Sequence, residues 1–227
     1  AIGSMDARAL TSWKFQRYAK DYLRTAQGVD DSVGALLAEL DRLAIADNTL
    51  VVYTSDQGWF LGEHGWFDKR LMYEESLAMP LLIRYPPAIA AGTASDDIVV
   101  NVDFGPTLLD LCGLDVPDHV QGRSFAPTLR GETPDDWPES MYYRYWMHLA
   151  HRLAVPGHFG IRTDRHKLIF FYGCNPDGIG PRTPAAWEFY DLDKDPFEMK
   201  NLYADPEYRP VIGAMKQQLK ATREELN

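Results

Sequence analysis

Leu50-Val51-Val52-Tyr53, running into Ser55-Asp56-Gln57-Gly58, is the stretch that decides the fold. Four β-forming residues without polar alternation suit a strand covered on both faces, the kind a parallel α/β sheet holds. Ligands of an open α/β sheet bind beyond the carboxyl ends of its strands, and Asp56 and Gln57 fall at such an end. Upstream, Val29, Val33, Leu36, Leu37, Leu40 and Leu43 recur at helical spacing. They predict a helix over about 7–43, with Gly28 as a candidate break and Asp47-Asn48 as the turn into the strand. Downstream, residues 81–85 read as a second buried strand and 98–100 as a third. Asp103 reads as the N-cap of a helix reaching Leu111, and Cys112 as part of that helix's buried face.

The pattern changes near residues 131–138, where Gly, Pro and Asp cluster. Beyond them, residues 141–146, 160–163, 167–172 and 187–192 read as strands, with Arg165-His166 as a hairpin turn. An amphipathic helix is predicted over about 210–225. This half therefore reads as a small antiparallel sheet with one helix packed on it. His148 reads as a surface residue.

Composition narrows the function. Apolar residues at 45% and charged residues at 25% describe a globular chain and exclude a disordered or fibrous one. The net charge of −10 argues against nucleic acid as a partner, because a phosphate backbone is repelled. The longest apolar run, residues 77–83, contains Pro80 and is far too short to span a bilayer, so no membrane partner is expected. Two cysteines make neither a disulfide framework nor a cysteine-rich zinc site. Residues 1–5, with Gly3-Ser4 before Met5, read as an expression-vector scar, and no signal-peptide pattern opens the chain.

Against this acidic background His64, Lys69 and Arg70 follow Asp56 and Gln57 within about fifteen residues. A carboxylate beside a carboxamide oxygen suits a hard cation, Ca²⁺ or alternatively Mg²⁺, better than zinc or copper. A divalent cation next to Lys and His is what cleavage of an anionic ester needs, since charge builds on the leaving oxygen. The competing reading makes Asp56 the start of a turn and Lys69 a solvated side chain.

Several motifs in order resemble the type I sulfatases of the alkaline phosphatase superfamily. They are Ser55-Asp56-Gln57-Gly58, Gly62-Glu63-His64-Gly65-Trp66-Phe67-Asp68-Lys69, Tyr73-Glu74-Glu75-Ser76 and Met79-Pro80-Leu81. Further matches are Gly28-Val29-Asp30-Asp31-Ser32-Val33-Gly34, Asn101-Val102-Asp103-Phe104-Gly105-Pro106-Thr107 and Gly122-Arg123-Ser124. Tyr190-Asp191-Leu192-Asp193-Lys194-Asp195-Pro196-Phe197-Glu198 with Asn201-Leu202 is similar to the family's C-terminal signature. The resemblance implies an α/β fold: part of an alkaline-phosphatase-like doubly wound sheet in residues 6–135, and a small antiparallel sheet with a packed helix in 136–227.

By the same resemblance Asp56 and Gln57 ligate Ca²⁺, Lys69 is the catalytic contact to sulfate, and His64 binds substrate. His158-Phe159-Gly160-Ile161-Arg162-Thr163 is similar to sulfatases acting on N-acetylglucosamine 6-sulfate, including mucin-desulfating enzymes, and makes His158 a second substrate contact. The implied partner is a sulfated sugar, and the implied location is periplasmic, secreted or lysosomal. Family members work through a formylglycine made from a Cys/Ser-x-Pro-x-Arg motif, which neither Cys112-Gly113-Leu114 nor Cys174-Asn175-Pro176 provides. The expectation is thus the C-terminal portion of a sulfatase, inactive alone and prone to self-association through an open sheet edge. Two alternatives stay open: a phosphate or phosphonate ester hydrolase of the same superfamily, and a non-catalytic half-domain that binds a glycan or a partner.

Overall fold

In the computed structural model, which describes residues 2–173 and 181–226, the chain runs α1 (Ala7–Arg42), β1 (Val51–Thr54), α2 (Glu74–Leu77), β2 (Leu81–Arg84), α3 (Phe104–Leu111), α4 (Ala126–Leu129), β3 (Ser140–Tyr145), β4 (His158–Thr163), β5 (His166–Phe171), β6 (Ala186–Asp191) and α5 (Arg209–Glu225). It divides into two units, Ala1–Val52 with Ile83–Pro87, and Tyr53–Leu82 with Ala88–Asn227. Cys174 lies outside the described residues.

The first unit is dominated by α1. Asp6 caps it, its side chain accepting the Ala9 N–H at 2.8 Å. The helix runs through Gly28 without a break. One interior glycine costs only about 1 kcal/mol against alanine, too little to stop a helix propagating from both sides. Arg17 and Arg24 pair with Asp21, and Arg42 with Glu39, along its polar surface. No residue of α1 is buried.

β1 and β2 form a two-stranded sheet. The strand read as covered on both faces is not covered here: Val52, Tyr53 and Thr54 are exposed and Val51 is half-buried. A sheet of two strands has too little surface to hold a layer on each side.

In the second unit the order β3-β4-β5-β6 is antiparallel throughout, with Tyr143 opposite Gly160, Ile161 opposite Leu168 and Ile169 opposite Glu188. Alternation along the strands assigns the two faces. Phe159, Ile161, Leu168 and Phe189 point to one side, where Ile212, Met215 and Leu219 of α5 cover them at helical spacing. Ile169, Phe171 and Tyr190 point to the other, where they meet Phe60, Leu71, Met72 and Tyr73. The small sheet thus carries two layers where one helix was expected, and the second layer is the segment following β1.

Other expectations need correcting. Residues 98–100 form no strand. Asp103 stands at the N-cap position of α3 as expected, but it is buried and its side chain makes no cap hydrogen bond; its carboxylate accepts the Val100 N–H at 3.0 Å and the Arg123 N–H at 2.9 Å, which pins the turn before the helix. Cys112 is exposed at the end of α3, because that helix buries only Pro106 and Thr107. His148 is buried, its Nδ1 accepting the Gly157 N–H at 2.9 Å. His166 opens β5 and is no part of the preceding turn.

At the end of β6, Asp191 is fully buried and takes Arg165 on both oxygens at 3.0 and 2.8 Å, with the Tyr208 hydroxyl donating at 3.1 Å. The Arg165 hydrogen bonds hold its carboxyl well below the usual carboxylate range, despite burial. Asp191→Asn is expected to lower unfolding stability by about 1–3 kcal/mol, toward the lower end because the Arg165 side chain is half exposed. The midpoint of urea unfolding measures it.

Candidate functional site

The segment after β1 is drawn in tightly. Ser55 Oγ donates to the Gln57 carbonyl at 2.8 Å, and the Gly58 N–H donates to the Ser76 carbonyl at 2.8 Å. A Cβ at residue 58 would stand 2.0 Å from the Glu75 carbonyl oxygen, so only glycine lets the segment lie against α2. Gly58→Ala is expected to lose that hydrogen bond and destabilise the chain by about 1–3 kcal/mol. A lower denaturation midpoint, together with faster exchange of the Ser55–Phe60 amides, would show it.

Asp56 is exposed and Gln57 half-buried. Among the described residues no hydrogen bond or ion pair occupies either side chain, while Ser55 fixes the backbone beneath them. Two adjacent free oxygen donors fit a hard cation as part of its shell; Ca²⁺ takes six to eight oxygens, so the remainder must come from elsewhere. No group of three or more His, Cys, Asp or Glu that could hold a metal occurs among the described residues.

Phe60 is fully buried and its N–H donates to the Asp68 carbonyl at 2.8 Å, closing the loop that carries the remaining groups. His64 sits at φ 52°, a left-handed conformation rare for a residue with a side chain. Its ring stacks on Tyr73 with centroids 4.4 Å apart, and its Nε2 faces Glu75 Oε2 at 3.7 Å, both atoms buried without a hydrogen bond. Tyr73 is held in turn by its hydroxyl, which donates to Glu188 at 2.8 Å. Burial and the neighbouring Glu188 push the Tyr73 phenol well above its ordinary range.

Lys69 lies between two residues that pair with each other: Asp68 is buried and its Oδ1 accepts from Arg70, while its Oδ2 is buried without a hydrogen bond. Lys69 itself is half-buried, its Nζ 5.9 Å from the Trp59 ring centroid, and no carboxylate among the described residues pairs with it. A lysine with no anionic partner, on the same stretch of chain as two free oxygen donors, gives the segment groups of both kinds that an anion and a cation require.

His158 is placed differently. It is fully buried on β4, and its Nδ1 lies 2.8 Å from the Pro156 carbonyl, which makes Nδ1 the protonated nitrogen. Tyr143, Tyr145 and Phe171 enclose the ring at centroid distances of 5.7, 5.4 and 5.1 Å. Burial pushes its pKa down to about 4. The structure therefore gathers Asp56, Gln57, His64 and Lys69 on one segment and puts His158 inside the layer beneath. Tyr73 and Glu75 stand within a sequence motif that gave neither a role at His64, and Glu188, which holds Tyr73, was passed over in an ordinary strand pattern.

The model of the sulfatase family matches residues 4–114, and that described as N-sulphoglucosamine sulphohydrolase, C-terminal, matches residues 62–225. The N-acetylglucosamine-6-O-sulfatase of Bacteroides thetaiotaomicron is 47% identical over 98% of this chain and 38% of its own length. A solved structure in complex with its substrate D-glucosamine-2-N,6-O-disulfate superposes with a TM-score of 0.90 at 47% identity, covering 98% of this chain and 43% of that one. The phosphonate monoester hydrolase of Agrobacterium radiobacter reaches a TM-score of 0.73 at 28% identity, covering 87% and 39%. The chain spans well under half the length of these relatives. Matched over most of its residues by the C-terminal model, and carrying the Asp56 to Lys69 segment in the order described, the chain belongs to the sulfatase family and represents a C-terminal portion of it.

Proposed function

We propose that this chain supplies the leaving-group side of a sulfatase that hydrolyses sulfate esters on glucosamine-containing glycans. The observation that carries the reading is Lys69, with no carboxylate partner among the described residues and flanked by the paired Asp68 and Arg70, on the segment that also carries Asp56 and Gln57. The substrates of the relatives support the sugar: one is named for N-acetylglucosamine 6-O-sulfate and the other holds a glucosamine disulfate.

In this proposal Asp56 and Gln57 hold Ca²⁺, which when bound neutralises sulfate charge and withdraws electrons from sulfur. Lys69 binds the sulfate and stabilises the negative charge that collects on the sugar oxygen as the S–O bond breaks. In the same reading His64, its ring stacked on Tyr73 and its Nε2 facing Glu75, takes part in binding the substrate. His158 acts on the sugar only through Tyr143 and Tyr145, which shield its ring. The nucleophile comes from sequence outside these 227 residues, because no Cys/Ser-x-Pro-x-Arg motif occurs within them. Residues 6–135 then belong to the doubly wound α/β domain and 136–227 to a small C-terminal subdomain, and self-association of the isolated chain follows from an uncovered sheet edge.

The test is a desulfation assay on glucosamine 6-sulfate with the in-frame gene product that includes the upstream sequence. Sulfate release is expected, abolished by EGTA, restored by Ca²⁺, and lost in Asp56→Asn; this chain alone releases none. Faster cleavage of a phosphonate monoester would move the chain to the reading favoured by its likeness to the phosphonate hydrolase. Turnover of neither class would leave a glycan- or partner-binding module.

A further inference from the structure

Lys167, the second residue of β5, is a charged side chain buried in a strand whose following residues Leu168, Ile169 and Phe171 are apolar core. It is fully enclosed, and it points to the same face as Ile169 and Phe171, toward the layer that carries the candidate site. Its Nζ stands 2.7 Å from Glu74 Oε1 and 2.7 Å from Glu198 Oε1. Arg162, on β4, takes both oxygens of Glu74 at 3.1 and 3.2 Å. Glu198 comes from the segment after β6, is buried, and completes the knot by accepting the Glu74 backbone N–H at 2.7 Å. It does so from φ 52°, a backbone conformation that side-chain-bearing residues seldom adopt. Two positive and two negative side chains thus meet where α2 begins.

α2 is the hub of the candidate site. Tyr73, just before it, carries the His64 ring; Glu75 faces His64 Nε2; and the Ser76 carbonyl receives the Gly58 N–H that holds the Asp56-Gln57 turn. We propose that Lys167 and Glu198 are positioning residues, a buried charge knot by which the small sheet sets the placement of α2 and, through it, of the Asp56–Lys69 segment. This rests on the function proposed above. Stability does not by itself account for the knot, because replacing a buried ion pair by well-packed apolar side chains of similar volume is often neutral or stabilising. Directionality does: apolar groups slide over one another, whereas a carboxylate fixed by an ammonium and a backbone N–H has one placement.

The test is a charge-neutral repacking, Lys167→Met/Glu198→Leu, which leaves the Arg162–Glu74 pair intact and keeps the chain folded. In this chain, hydrogen exchange at the Gly58, Glu74 and Ala78 amides is expected to quicken about tenfold, while the Gly160 and Ile169 amides of the sheet stay as they were. In the longer product the same double variant is expected to lower kcat on glucosamine 6-sulfate by about 10²-fold with little change in KM. Sheet and segment quickening by one common factor would reduce the knot to a stability element and overturn the proposal. So would looser amides around Gly58 and Glu74 with kcat unchanged. A wild-type product that cleaves no sulfate ester overturns the sulfatase reading instead, and then the exchange result alone decides whether the knot holds α2.

Discussion

Lys69→Met in the sulfate-releasing product is expected to lower kcat by about 10²–10³-fold, with a smaller rise in KM. The size follows from where the charge is needed. On the proposed reading, sulfate already carries its negative charge in the ground state, where Lys69 would bind it and contribute to KM. As the S–O bond breaks, new charge develops on the sugar oxygen, and a positioned ammonium is worth more there. The geometry leaves Lys69 without a carboxylate partner, whereas Arg70 is paired with Asp68. Lys69→Arg keeps the charge but changes a compact ammonium to a planar fork, so only part of the rate returns. Steady-state kinetics on an aryl sulfate, whose leaving group needs less help, should show a shallower loss than on a sugar sulfate. An unchanged kcat in Lys69→Met would remove Lys69 from the reaction.

His158 gives the second large effect, on stability. Its folded-state pKa is pushed down to about 4, chiefly by burial, from an ordinary value of 6.5. The unfolded chain binds a proton near pH 6.5 and the folded chain only near pH 4, so acid favours unfolding across that interval. Stability from this group is complete above about pH 6.5 and is lost as pH falls toward about 4, a difference of about 3 kcal/mol. His158→Phe keeps an aromatic ring among Tyr143, Tyr145 and Phe171 and has nothing to protonate. Urea unfolding of wild type and variant at pH 7 and pH 4.5 is expected to show a gap that moves in favour of the variant as pH falls. Parallel curves would mean that His158 is protonated in the folded chain.

The motifs of the site segment were legible because they are local. Asp56 and Gln57 follow β1 and Lys69 lies in the loop beyond it, so chain order alone puts them on one segment. The four strands and final helix of the C-terminal half were legible for a similar reason, since alternation and 3.6-residue periodicity survive in a layer with two distinct faces. Other features depended on groups far apart in sequence. Lys167 is separated from Glu74 by three whole strands and two helices, and no periodicity says that a lysine in an apolar strand meets two carboxylates. His158 matched a substrate-contact pattern in the sequence, but its neighbours Tyr143, Tyr145 and Phe171 converge only when three strands pair. Asp103 looked like a cap because the residues after it are helical; the Arg123 N–H that claims its carboxylate arrives from twenty residues away. By itself the sequence determined which chemical groups the chain owns and which short elements carry them. Tertiary structure alone decided which groups are buried, which charges satisfy one another and which are left unpaired, because burial and pairing depend on distances that chain order does not contain.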